Sequence, residues 1–167
     1  MPEADPEPWL RGPLPDVHPL IQPVLYSFGQ VREDLAKYAA GLTAEQVWRR
    51  VAGNSLGFHL KHLAGSVDRL TTYLVGTELT QEQLLALKQE ANGNENADEL
   101  LKCVDEALAA SEERLREMDV NRLYEPRAVG RKRLPTTVIG LLVHLSEHTQ
   151  RHLGQAITTA KILRDTG

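Results

Sequence analysis

Hydrophobic and polar residues recur along most of this chain with the period of an amphipathic helix. Near the C-terminus, for example, one helical face would collect Val138, Leu141, Leu145, Ala156 and Leu163. Good helix formers fill the long segments, and clustered runs of Val, Ile and Tyr, which are typical of strands, are absent. The pattern therefore predicts an all-α protein.

Four long helices follow from this pattern and from the residues that start and stop helices. They are expected at about residues 17–40, from 54 or 55 to just before 76, at 97–118, and from 136 or 137 to 163. Asp16 and Gly41 are suitable cap residues for the first helix, and Pro23 should kink that helix or delay its start. Four helices of this length predict a four-helix bundle.

Short extra helices are predicted where two segments have the form of a capping box. These segments are Thr43-Ala-Glu-Gln46 and Thr80-Gln-Glu-Gln83. The stretch Asn92-Gly-Asn-Glu-Asn96 is typical of a turn, and residues 119–135 are expected to form a polar loop. The connection between the second and third long helices is long enough to cross the bundle.

The N-terminal segment differs from the rest of the chain. Residues 1–15 carry five of the nine prolines, and we expect them to form an extended arm without helix. Trp9 and Leu10 could pin this arm to the body of the protein. The remaining residues, 16–167, are enough for one domain with a sizeable core.

Composition excludes several classes of function. The net charge is −4 and the pI near 5.9, so the broad basic surface of a nucleic-acid-binding protein is missing. No apolar run approaches the roughly 20 residues that span a bilayer, and the acidic N-terminus is unlike a signal peptide. The one cysteine, Cys103, excludes an internal disulfide and a cysteine-based zinc site, and its spacing from Leu100 and Ala107 predicts core packing. We expect a cytoplasmic protein.

The most specific chemical signal is a histidine run on the fourth long helix. His144, His148 and His152 are spaced four residues apart, so they lie on one side of a helix. His148 and His152 fall on or beside the apolar stripe, whereas His144 lies about 100° from its centre. The inward pair could hold a divalent metal ion, or could be buried histidines that bond to backbone or water.

A third imidazole could come from the second long helix, which carries His59 and His62. The apolar centre of that helix lies closer to His59, but periodicity alone does not choose between them. Three imidazoles would leave open positions on the ion for water, whose pKa the metal lowers. Such chemistry serves hydrolysis or thiol activation, and zinc and nickel both suit imidazole ligands. His18 is interpreted as a surface residue.

Two motifs resemble those of the DinB/YfiT-like superfamily of metal-dependent enzymes. They are His62-Leu-Ala-Gly-Ser66 and His148-x-x-x-His152-x-Gly-Gln155, and the resemblance covers about residues 17–163. It implies a four-helix bundle in which His62, His148 and His152 hold a divalent ion, nickel or zinc. It also implies that His59 lies one turn from the ligands, and that Gln155 lines the site or bonds to a ligand.

The resemblance implies a hydrolase or a thiol S-transferase that acts on a small molecule, with a low-molecular-weight thiol such as bacillithiol or mycothiol as cosubstrate. The alternative is a non-catalytic metal-binding protein or a dimeric interaction module, and a homodimer is compatible with either. The basic run Arg131-Lys132-Arg133 could hold an anion or form a solvated loop, about 18 Å from the metal at ~1.5 Å per helical residue. Glu147 is interpreted as a surface residue.

Overall fold

The structure, a computed structural model, describes residues 5–166 and is mostly helical, as predicted. Its α-helices are α1 (Gln22–Tyr38), α2 (Ala44–Trp48), α3 (Leu56–Val75), α4 (Gln81–Gln89), α5 (Ala97–Arg116) and α6 (Val138–Asp165). Two short antiparallel hairpins complete it: β1 (Arg50–Val51) with β2 (Asn54–Ser55), and β3 (Pro126–Val129) with β4 (Leu134–Thr137). None of the helices between residues 5 and 166 is both long enough and apolar enough to span a membrane.

The four long helices enclose a leucine-rich core. Helix α3 packs against both α5 and α6, and α1 packs against the same two helices. Phe28, Leu60, Leu63, Leu145 and Leu163 are among the side chains with no exposed surface. Burial of each such side chain contributes about 1.5–3 kcal/mol, so the contacts of α3 and α6 are a main source of stability.

The starts of α3, α5 and α6 agree with the helix bounds predicted from the sequence. Ser55 accepts a hydrogen bond from the Phe58 N–H at the start of α3. Thr137 caps α6 by accepting from the Gly140 N–H, and Asn96 caps α5. Both predicted capping boxes, at the starts of α2 and α4, are formed.

The first helix is shorter than predicted. It begins at Gln22 rather than near residue 17, because Pro23 then occupies the first turn, where its missing N–H costs no hydrogen bond. Asp16, the expected cap, lies outside the helix with a φ of 55°. The helix ends at Tyr38, three residues before Gly41, which has a φ of 76°.

The predicted polar loop at residues 119–135 is wrong for its second half, which forms the β3–β4 hairpin. Its strands are four residues long and each contains a proline, Pro126 and Pro135, so they lack a strand-like sequence pattern. β4 runs directly into α6, as β2 runs directly into α3. Each of these two helices therefore starts from a hairpin.

The N-terminal arm is held differently from the prediction. Pro8–Leu10 form a 3₁₀ turn in which Pro8 is buried, whereas the side chains expected to pin the arm, Trp9 and Leu10, are 59% and 56% exposed. Arg11 instead makes an ion pair with Glu33 on α1. The first four residues of the predicted arm lie outside the described residues.

Cys103 is exposed, and its predicted core packing is therefore wrong. The buried face of α5 is formed by Leu100, Val104 and Leu108. Cys103 precedes Val104 by one residue, which rotates its side chain about 100° away from that face.

Candidate metal centre

Three histidines from two helices converge on one point. His62 on α3 and His148 and His152 on α6 each offer a ring nitrogen, and these three atoms lie within 4.8 Å of one another. The Nε2 atoms of His62 and His148 are 3.1 Å apart. The ring centroid of His152 lies 4.4 Å from that of His62 and 4.7 Å from that of His148.

This spacing fits a single divalent ion. Imidazole nitrogens bind Zn²⁺ at about 2.0–2.1 Å, so two of them on one ion lie no more than about 4.2 Å apart. The His62–His148 pair already has such a separation, and the 4.8 Å limit on the whole set leaves only small side-chain rotations to close. The three histidines could therefore hold a metal ion.

Burial controls the protonation of the two α6 histidines. Desolvation, with a smaller contribution from the nearby His62, lowers the pKa of His148 to about 4 and that of His152 to about 3. Both rings are therefore neutral at pH 7, which is the form that binds metal ions. Their Nδ1 atoms are buried and have no hydrogen-bond partner among residues 5–166. A donor set of neutral imidazoles suits zinc or nickel.

One side of the cluster faces solvent. His152 is 9% exposed and lies on the core side, whereas His62 and His148 are half-buried. Phe58 stacks on the His62 ring, with a centroid separation of 5.5 Å and an interplanar angle of 16°. The cluster thus leaves two of its three rings partly exposed, and Phe58 covers one face of the His62 ring.

His59, the alternative to His62, lies deeper in the core. It is 5% exposed, its ring centroid is 5.8 Å from that of His152, and burial lowers its pKa. Its nitrogens are not part of the converging set, which contains His62 instead. His59 lies near the apolar centre of α3, so its ring points into the interface between the helices. It is for this reason that His59 does not join the other three histidines.

The other polar residues singled out in the sequence lie at the surface. His144 is exposed and its Nδ1 lies 3.1 Å from Glu147, which also contacts Arg151. His18 is exposed as well. Gln155 is exposed and makes no side-chain hydrogen bond to residues 5–166, so the expected contact between Gln155 and a ligand is not found.

Two charged residues that adjoin the site were not predicted from the sequence. Glu90, which follows the last residue of α4, places its Oε2 2.6 Å from Nδ1 of His62. Its other oxygen lies 2.7 Å from Nη1 of Arg69, on α3. Both side chains are buried. Arg69 follows His62 by two helical turns and so shares its face, but no local pattern points to Glu90.

The comparison with protein families covers this whole site. The family model described as the DinB superfamily matches residues 27–156, which is more than half of the chain and includes all three histidines. No curated protein matches the chain. The family suggested by the two histidine motifs is thereby confirmed: the chain belongs to the DinB superfamily.

Proposed function

We propose that this protein is a metal-dependent enzyme in which His62, His148 and His152 hold one divalent ion, nickel or zinc. The observation that carries the proposal is the convergence of three ring nitrogens within 4.8 Å, from helices far apart in the sequence. The low pKa values of His148 and His152 support it, because both rings are ready to bind metal without first losing a proton.

The arrangement leaves room for a reactant. A bound divalent ion would act as a Lewis acid and lower the pKa of a water or thiol that it binds. The three histidines orient it without contributing charge, and the half-buried rings of His62 and His148 border the side from which a small molecule can approach. We propose hydrolysis or S-transfer with a low-molecular-weight thiol as the reaction class.

We also propose a four-helix bundle over residues 16–167, preceded by an arm at residues 1–15. The protein would form a homodimer, and its substrate would be a small molecule rather than nucleic acid. The bundle is supported by the packing of α1 and α3 against both α5 and α6. The cytoplasmic location stays a prediction.

Metal content tests the site directly. Purified protein is saturated with zinc or nickel, desalted and analysed by inductively coupled plasma mass spectrometry. Wild type should retain one ion per chain, and the variants His62→Ala, His148→Ala and His152→Ala should retain far less. His144→Ala is the matched control, because this exposed histidine belongs to the same run and should leave the stoichiometry unchanged. Equal substoichiometric metal in wild type and all variants would refute the site.

Turnover is tested separately on metal-loaded protein. A panel of low-molecular-weight thiols is combined with electrophilic conjugation probes and with ester and amide hydrolysis probes. Conjugation or hydrolysis that is lost in His148→Ala would support the proposed reaction class. Stoichiometric metal without any turnover would favour the alternative, a non-catalytic metal-binding protein.

A further inference from the structure

A buried ion pair lies directly behind one of the proposed metal ligands. Glu90 and Arg69 are 5% and 8% exposed, and opposite charges at this depth carry a desolvation cost of several kcal/mol per ion. Replacement of such pairs by apolar residues is often neutral for stability. Their burial beside His62 therefore indicates a role other than stabilisation of the fold.

The Glu90 carboxylate bridges Arg69 and His62. One oxygen lies 2.7 Å from Arg69 Nη1, in an electrostatic contact in which the N–H bond is not aimed at the oxygen. The other oxygen lies 2.6 Å from His62 Nδ1. A carboxylate can only accept hydrogen bonds, so His62 must carry its proton on Nδ1. Its Nε2 lone pair then faces His148.

Gly65 provides the space for this pair. A Cβ atom at this position would lie 2.6 Å from Arg69 Nη1 and 2.7 Å from Glu90 Oε1. The ion pair therefore lies against bare backbone of α3, between His62 and Arg69. Any side chain at position 65 would push the pair away from the imidazole.

Glu90 lies in the connection between α3 and α5, residues 76–96, which we call the crossover. This segment is tied to α3 on both sides of Glu90. Before Glu90, the Gln83 side chain donates to Asp68 on α3. After Glu90, Lys61 of α3 donates to the Asn92 carbonyl and forms an ion pair with Glu95. These contacts fix the backbone at Glu90, so its carboxylate is held in place before any ion binds.

We propose, on the basis of the metal site proposed above, that Glu90 and Arg69 are positioning residues for His62. They hold it as the Nδ1–H tautomer, with Nε2 directed at the ion. His148 and His152 have no hydrogen-bond partner on Nδ1 among the described residues. His62 is therefore the ligand whose orientation is set by charged neighbours, and helix α6 sets the other two.

The tautomer of His62 is measured by NMR of the histidine ring nitrogens in metal-free protein. Wild type should show the Nδ1–H form. In Glu90→Gln the amide oxygen should turn to Arg69, which has only donors, and the amide NH₂ should face His62. The Nε2–H form should then dominate, with zinc affinity 10–100-fold lower in a chelator competition, the range typical for loss of such a partner.

Two further variants separate positioning from general damage. In Arg69→Met/Glu90→Gln no buried charge remains and the amide is free to turn its oxygen to His62, so the Nδ1–H form and part of the affinity should return. If Glu90→Gln does not fold, the tautomer of His62 in wild type still tests whether the Glu90 carboxylate holds the proton on Nδ1. Glu82→Gln removes an exposed carboxylate from the same crossover, away from the contacts that hold Glu90, and should change neither the His62 tautomer nor the zinc affinity.

Different results would refute the role of Glu90 and the proposed metal site. A wild-type His62 in the Nε2–H form overturns the inference, and so does a Glu90→Gln variant with unchanged tautomer and affinity. An equal loss of zinc affinity in Glu82→Gln overturns it too, because the loss would then not depend on the contact between Glu90 and His62. If wild type binds no metal, the proposed function fails, whereas the tautomer measurement still decides whether Glu90 positions His62.

Discussion

The Nε2 atom of His62 lies 3.1 Å from the Nε2 atom of His148, so α3 and α6 meet at their proposed ligand atoms. An ion bound there would join the two helices that share much of the core. It would bind the folded chain and not the unfolded one, and this difference raises the free energy of unfolding.

Zinc or nickel is therefore expected to raise the melting temperature. At a free concentration 100 times the dissociation constant the gain is about 2.7 kcal/mol, or about 5–10 °C for a chain of this size. Circular dichroism melts with metal and with chelator measure the shift. His148→Ala should show none, and an equal shift in that variant would place the ion elsewhere.

Acid should destabilise the metal-free protein. In the unfolded chain His152 has the ordinary pKa of 6.5, whereas in the folded protein burial lowers it to about 3. Below pH 6.5 the unfolded state therefore binds a proton that the folded state excludes, and stability falls as pH falls. Each such group lowers the free energy of unfolding by up to about 1.4 kcal/mol for every pH unit of acidification.

Urea denaturation with chelator present, between pH 7.5 and 5, measures this slope. The variant His152→Leu removes the titrating group and places an apolar side chain at the buried position. Its stability should depend less on pH than that of wild type. An identical slope in the two proteins would contradict the assignment to His152.

Two glycine substitutions should act in opposite directions. A Cβ atom at Gly57 would lie 2.8 Å from the Trp48 ring, whose Nε1 donates to the Glu95 carbonyl, so Gly57→Ala should cost about 1–3 kcal/mol. Gly154 is an exposed position within α6 with nothing within 4 Å, and Gly154→Ala should stabilise by about 0.5–1 kcal/mol. Thermal melts compare them, and equal signs would disprove the expectation.

Arg127 and Arg133 should differ in their importance for stability. The Arg127 side chain is 11% exposed and donates to the Leu74 carbonyl at the end of α3, so Arg127→Ala should cost about 1.5–3 kcal/mol. Arg133 pairs with Glu78 at 3.6 Å where both side chains are exposed, and Arg133→Ala should change stability by less than about 0.5 kcal/mol. Urea unfolding of the two variants checks the difference.

Features encoded by neighbouring residues were predictable from the sequence. Ser55, Asn96 and Thr137 mark the starts of α3, α5 and α6, because each cap bonds to a backbone N–H only three residues later. The β3–β4 hairpin was not predictable, since its four-residue strands contain prolines and β3 is held by contacts with α3, such as the hydrogen bond from Arg127 to the Leu74 carbonyl.

The residues around the site could not be predicted from the sequence, because their proximity depends on the three-dimensional path of the chain. A helical wheel gives direction around the axis of α3 but no depth, so it could not separate His59 from His62. Glu90 is one of 23 acidic residues and lies 28 positions from His62. Only the path of the crossover brings them together, and the sequence contains no local signal for that path.

The Thr137 cap at the junction of β4 and α6 also sets the rotational phase of the histidines that follow it. Inserting one residue between Thr137 and His148 would turn His148 and His152 by about 100° around the helix axis, out of reach of His62. The same insertion in the exposed turn at Gly130, before the cap, would leave that phase unchanged. Length variation in this region is therefore tolerated on one side of a single threonine and not on the other.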